Sequence, residues 1–196
     1  MPPPLEIEVK LSVPSASRAR RLLNLAGYTI LQKRTFESNT LYDYAEARIR
    51  SAGEMLRLRR YGTRLLVTFK GPAQPGRHKI RPEWEIEVSD GDVCAEIFGR
   101  LGLQPGFRYE KFRTIYGKPR EKGHVSLDET PIGDFLELEG PEHWIDRTAE
   151  RLGFAPEAYI TASYGRLYLE YCKERGVPCA DMRFGSISEA AKPLLG

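Results

Sequence analysis

Residues 5–11 alternate without a break, with Leu5, Ile7, Val9 and Leu11 on one side and Glu6, Glu8 and Lys10 on the other. A period of two marks a strand whose two faces meet different surroundings. The same pattern predicts strands near 28–37, 55–61, 64–70, 82–88, 107–116, 123–128 and 135–139, with a further extended segment at 40–44. Helical spacing appears at 14–25, where Ala19, Leu22, Leu23 and Ala26 share a face and Gly27 is the stop. Asp90 is placed to cap a second helix running to 101, a third spans 141–152 before Gly153, and a fourth spans 161–175. In the fourth, Tyr164, Leu167, Tyr168 and Tyr171 have the spacing of a packing face. Residues 71–77, GPAQPGR, read as loop.

What changes this picture is the composition of the polar faces. Arg57 and Arg59 lie opposite Leu56 and Leu58. Glu83, Glu85 and Glu87 lie opposite Trp84, Ile86 and Val88. Lys111 and Arg113 flank Phe112, and Glu137 and Glu139 alternate with Leu136 and Leu138. Lys70 shares a face with Thr68, and Asp128 with Ser126. One such strand is an ordinary half-exposed sheet. Seven together, almost purely Glu, Arg and Lys, with helices to cover the apolar side, turn the charges inward. The predicted fold is therefore α+β: a closed antiparallel barrel of about eight strands with helices packed outside. Residues 1–175 form this domain, and 176–196 are expected to be a tail or a lid over one opening.

Eight acids (Glu6, Glu8, Glu83, Glu85, Glu87, Asp128, Glu137, Glu139) and six bases (Lys10, Arg57, Arg59, Lys70, Lys111, Arg113) would then share the lumen. Converging bases suit a polyphosphate, through forked Arg donors and compact Lys charge. Carboxylates repel that ligand unless they hold a hard divalent cation, Mg²⁺ or Mn²⁺, which takes oxygen ligands and bridges to phosphate. The mixture of signs points to metal together with triphosphate.

The bulk numbers narrow the partners. The chain has 196 residues, 41% apolar and 29% charged, and a net charge of +3. That is one domain with a sizeable core, and too little charge to expect a large footprint on nucleic acid. No stretch interleaves exposed aromatics with bases as a single-stranded RNA binder would. No run reaches the ~18 apolar residues of a membrane helix, and the amino terminus MPPPLEIEVK carries no apolar signal core. Cys94, Cys172 and Cys179 are odd in number, without metal-type spacing, and fit reduced thiols of a cytoplasmic protein. His78, His124 and His143 are scattered and suggest no His-centred site.

Glu6-Ile7-Glu8-Val9-Lys10 resembles the Glu-x-Glu-x-Lys signature of the CYTH superfamily, the triphosphate tunnel metalloenzymes. LRLRR with Arg57 and Arg59, VTFKGP with Lys70, RPEWEIEV with Glu85 and Glu87, KFR with Lys111 and Arg113, LDE with Asp128 and IGDFLELEG with Glu137 and Glu139 follow in matching order. The resemblance covers 5–171. It implies an eight-stranded tunnel in which carboxylates (Glu6, Glu8, Glu85, Glu87, Asp128, Glu137, Glu139) bind divalent metal. Lys10, Arg57, Arg59, Lys70, Lys111 and Arg113 would grip phosphates. NTLYD (39–43), KFRTIY and YITASYGRLYL look most like the class IV adenylyl cyclase branch, which converts ATP to cyclic AMP and pyrophosphate. Hydrolysis of tripolyphosphate, thiamine triphosphate or a nucleoside triphosphate is the alternative, and a non-catalytic nucleotide or polyphosphate binder is a second. Tyr42 is a candidate partner of Lys70 in orienting a nucleophile, with core or rim packing as its other reading. Glu83 is expected at the mouth only. A homodimer is left open.

Overall fold

In a computed structural model, which describes residues 3–185, eight strands close into one antiparallel barrel with strand order β1-β5-β4-β3-β2-β6-β7-β8. They are β1 (Leu5–Val13), β2 (Thr29–Asp43), β3 (Met55–Tyr61), β4 (Arg64–Lys70), β5 (Lys79–Val88), β6 (Gln104–Gly117), β7 (His124–Thr130) and β8 (Gly133–Glu139). Closure leaves no free sheet edge and separates an inner from an outer face along every strand. Five helices accompany them: α1 (Ala16–Leu25), α2 (Arg48–Ser51), α3 (Gly91–Arg100), α4 (Glu142–Arg151) and α5 (Tyr164–Arg175). None is long and apolar enough to cross a membrane.

The apolar core lies outside the barrel wall. Val9, Leu11, Val125, Leu127, Leu136 and Leu138, all fully buried, point outward from β1, β7 and β8 against Ala19 and Leu23 of α1 and Trp144, Ile145 and Ala149 of α4. A second cluster joins Tyr109 and Phe135 to Tyr164, Tyr168, Tyr171 and Cys172 of α5 and to Met182 beyond it. Asp90 caps its helix as predicted, accepting from the Asp92 and Val93 amides; Ser15 Oγ, accepting from the Arg18 amide, and Ser163, accepting from that of Arg166, set the starts of α1 and α5 two and three residues later than the pattern did.

Several element ends shift by two or three residues, and three larger differences from the pattern have a physical reason. The two extended pieces at 28–37 and 40–44 are one strand, β2, whose alternation is broken by register shifts between Ile30 and Gln32, Gln32 and Thr35, and Leu41 and Tyr42. β5 begins at Lys79, three residues before Pro82, and Pro82 pairs with Leu5 of β1 where the strand has no ladder amide to supply. Residues 48–51 make a short helical turn with no apolar period of its own, held by Asp43, whose carboxylate accepts the amides of Tyr44, Ile49 and Arg50.

α5 and residues 176–185 lie across one end of the barrel. Ile160 exchanges backbone hydrogen bonds with Lys10, where β1 has run past β5, and Met182 bonds Arg108 and Glu110 where β6 has run past β7. Residues 186–196, the greater part of the predicted tail, lie outside the described residues.

Candidate active site

The inward faces deliver the charges into one cavity of about 1070 Å³ that runs from the lumen past the mouth between α2 and α5. The wall built by β3 and β6 is basic. Arg57 donates to Tyr109 Oη (3.2 Å) and Thr68 Oγ1 (3.1 Å) and lies 3.7 Å from Glu85. Arg113 forks onto both oxygens of Asp128 (2.7 and 2.6 Å) and reaches Glu137 (2.7 Å); Lys111 donates to Asp128 (2.9 Å). Arg59 is the loosest of the four, 3.5 Å from Glu37.

β1 and β8 form the acidic side. Glu8 faces Glu139 across the ladder, and Lys10 faces Glu137. Glu6 accepts from Lys70 (2.5 Å) and Arg81 (3.2 Å), and Glu8 from Lys10 (2.9 Å) and Lys79 (3.0 Å). Lys10 also reaches Glu137 at 3.3 Å, and Lys70 reaches Glu83 at 3.1 Å. Charges so deeply buried are tolerable only when paired, and pairing of this kind is what a folded, ligand-free lumen requires. Burial raises the carboxyl pKa of Glu137, but Arg113, Lys10 and Lys111 outweigh it and hold Glu137 well below the ordinary range. Glu139 is less well compensated: Lys70 and Arg113 act on it only weakly, and its nearest basic group is the His124 ring, 3.6 Å away. Burial first, then the charges of Glu6 and Glu137, push it up to about 7. Burial likewise brings the Lys79 ammonium down to about 8, against the pull of Glu8.

Glu6, Glu8, Glu137 and Glu139 thus offer hard oxygen donors on adjacent strands, and Glu139, raised first by burial and then by Glu6 and Glu137, is the carboxylate a cation would most stabilise in its charged form. The donor set fits Mg²⁺ or Mn²⁺. Among the described residues no three acids, His or Cys are already gathered as an ion-holding group, because each of these carboxylates except Glu139 is turned to a Lys or Arg.

Three expected residues sit differently from the expectation. Asp128 is fully buried with both oxygens taken by Lys111, Arg113 and the Tyr164 hydroxyl (2.6 Å), so it orders the basic wall instead of facing a metal. Glu85 accepts from Thr68 (2.8 Å) and supports Arg57. Glu87 lies at the far rim, half exposed, paired with Arg64 at 3.0 Å. Tyr42 follows the register shift at Leu41 and turns edge-on to Phe98 of α3, ring centroids 4.9 Å apart, the packing role that is one of its two readings, while lining the same cavity as Lys70.

The structure adds residues that the pattern missed. Lys79 and Arg81 continue the inward face of Glu83 and Glu85, and extending the alternation through Pro82 would have found them. Glu37 and Asn39 face inward from the middle of β2, where the pattern was split into two pieces. Tyr109 shares the inward face of Lys111 and Arg113. Tyr164 came from a helix read only as packing; its hydroxyl on Asp128, and its ring near Lys10 and Lys111, have no sequence signal.

Comparison with known proteins accords with this architecture. A protein of Methanocaldococcus jannaschii, provisionally named an adenylate cyclase, is 29% identical over 136 residues, 69% of this chain and 76% of that one. Among solved structures, a provisionally named adenylate cyclase from Vibrio parahaemolyticus superposes with a TM-score of 0.73 at 17% identity, covering 83% of this chain and 97% of that one. A Hippeastrum protein described as an adenylyl cyclase candidate with a dominant triphosphatase activity does so at 0.58 and 18% identity, covering 95% and 93%. These structural likenesses are likenesses of fold. The model of the CYTH domain matches residues 4–152, three-quarters of the chain, and this protein belongs to the CYTH family.

Proposed function

We propose that this protein is a cytoplasmic, divalent-metal-dependent enzyme that converts ATP to cyclic AMP and pyrophosphate. The observation that carries the reading is one lumen with a basic wall on β3 and β6 and an acidic strand pair, β1 and β8, facing it. The basic wall takes the triphosphate; the strand pair (Glu6, Glu8, Glu137, Glu139) takes Mg²⁺ or Mn²⁺. Bound there, the ion would supply Lewis-acid polarisation, lowering the pKa of the ribose 3′-hydroxyl and stabilising charge at the α-phosphate. Arg57, Arg59, Lys111 and Arg113 hold the β- and γ-phosphates as the bond to the α-phosphorus breaks, and Asp128 and Tyr164 keep Lys111 and Arg113 aimed. Lys70, on Glu6 and Glu83, would be free to follow the phosphate chain if Glu6 held the ion. As in phosphoryl transfer generally, positioning and electrostatics do most of the work. In this reading residues 1–175 form the catalytic unit, and residues 176–185 lie at its mouth.

The cavity is at the upper end of the ~300–1,000 Å³ usual for ligand sites, and Leu41, Met55 and Phe107 line its mouth beside Arg57 and Lys70. Apolar side chains at the mouth of a charged lumen suit a nucleotide better than a bare phosphate chain. Triphosphate hydrolysis is the second reading, supported by the activity described for the Hippeastrum protein. Purified protein with Mg²⁺ or Mn²⁺ is offered ATP, tripolyphosphate and 3′-deoxy-ATP, and products are separated by chromatography. Cyclic AMP and pyrophosphate from ATP, with 3′-deoxy-ATP left intact, are expected. Orthophosphate from tripolyphosphate and from the deoxy analogue, without cyclic nucleotide, would replace cyclisation by hydrolysis.

A further inference from the structure

Glu37 stands where a phosphate-gripping wall has least use for a carboxylate. β2 is four strands from β1 in either direction round the barrel and three from β8, so Glu37 lies across the barrel from the acidic strand pair, apart from its carboxylates. It lies instead in the midst of the four bases: β2 is flanked by β3 and β6, and Glu37 is in register with Lys111 on one side and Tyr61 on the other. It is fully buried, with Arg59 3.5 Å and Lys111 3.6 Å from Oε1. Burial would raise its pKa; Arg59, Lys111, Arg113 and Arg57 outweigh burial and hold it far below the usual range, so its charge is present at any working pH.

Two features separate Glu37 from the other carboxylate in this wall, Asp128. Asp128 is saturated by short hydrogen bonds and acts as a clamp. Glu37 accepts one, from Asn39 Nδ2 at 2.9 Å, while its Oε2 has no partner and the cations around it are beyond hydrogen-bond length. Arg57 Nε and Arg59 Nε are buried and unpartnered as well. Donors without acceptors beside a carboxylate that does not reach them describe a site held open for another anion, with Glu37 as a fixed negative charge behind it.

We propose that Glu37 is an internal counter-anion: it balances the basic wall while the lumen is empty and limits how tightly the wall holds a polyphosphate, so that product can leave. This rests on the triphosphate reading above. A carboxylate behind the site repels every phosphate in front of it at short range and low effective dielectric, so neutralising it should tighten binding by about tenfold or more.

The test is tripolyphosphate binding by titration calorimetry in chelator, with wild-type protein, Glu37→Gln and the charge-preserving Glu37→Asp. Glu37→Gln is expected to bind at least tenfold tighter and Glu37→Asp to stay within about threefold of wild type. Equal or weaker binding by Glu37→Gln overturns the proposal. Because four cations lose a counter-charge, the Gln variant can lose stability; thermal melts with and without tripolyphosphate cover that case. A variant unfolded alone but folded by tripolyphosphate below the wild-type dissociation constant supports the proposal, since the ligand then replaces the lost charge. A variant that stays unfolded with tripolyphosphate overturns it, making Glu37 a structural ion-pair partner. Failure of wild-type protein itself to bind tripolyphosphate counts against the triphosphate reading.

Discussion

Single side chains in this lumen balance one another's charge, and in the proposed function the same side chains meet a ligand. Arg59 makes the weakest internal contact of the wall, so it gives the cleanest measure of phosphate grip. Arg59→Ala should weaken tripolyphosphate binding by ~1–3 kcal/mol, the worth of a charge-assisted hydrogen bond, and should also lower the melting temperature, because buried Glu37 loses its nearest counter-charge. Tyr164→Phe should act first on stability. It removes the hydroxyl that donates to buried Asp128, costing ~1–3 kcal/mol of stability measured by chemical denaturation, and loosens Lys111 and Arg113 through Asp128. Glu139 provides a pH signature. Its folded-state pKa, about 7, lies above its ordinary value of 4.5. The folded protein therefore binds more protons than the unfolded chain between those values. This contribution to stability is whole below pH 4.5 and is lost as pH rises through 7. Melts in chelator from pH 4.5 to 8 should show this decline, and Glu139→Gln should flatten it.

At the scale of elements, the helices act by covering the outside of the barrel so that its charged faces stay inside. α1 depends on Leu23, fully buried against the β1, β7 and β8 wall, and Leu23→Ala should cost ~2–5 kcal/mol in a denaturant titration. The junction between β7 and α4 is tighter still. A methyl group added at Gly123 would fall 2.3 Å from the Trp144 ring, which is itself held by its Nε1–H donating to Glu121 at 2.6 Å. Gly123→Ala should destabilise by ~1–3 kcal/mol, through displacement of Trp144 that its fluorescence would report. Neither change touches the lumen, so residual folded protein should bind tripolyphosphate as wild type does.

For the whole molecule, closure turns a set of amphipathic strands into a chamber whose two walls have opposite sign. The consequence is linkage: whatever binds only the closed barrel stabilises it by mass action, so Mn²⁺ with tripolyphosphate should raise the melting temperature more than either alone. Glu6→Gln and Glu8→Gln should abolish metal-dependent turnover while leaving the barrel folded, checked by activity and far-ultraviolet circular dichroism. Full activity of both variants, or of wild type in excess chelator, would show that the acidic strand pair holds no catalytic ion.

Alternation over 5–11, 55–61, 64–70 and 135–139 was enough to place Glu6, Glu8, Lys10, Arg57, Arg59, Lys70, Glu137 and Glu139 on one face each, because side-chain direction in a strand follows from local geometry alone. The purity of those faces in Glu, Arg and Lys then argued for an enclosed lumen, and the order of motifs for the CYTH family. Where the period was interrupted, the sequence was silent. Bulges in β2 hid Glu37 and Asn39, and Pro82 hid Lys79 and Arg81, since an interrupted period mimics a strand end. Partnership was decided by tertiary structure alone. Nothing local brings Tyr164 to Asp128 across 36 positions, turns Tyr42 to Phe98, or sets Glu37 opposite the acidic pair. Those relations exist only once eight strands share one circumference, because strand order and the path of α5 across the mouth are properties of the closed barrel.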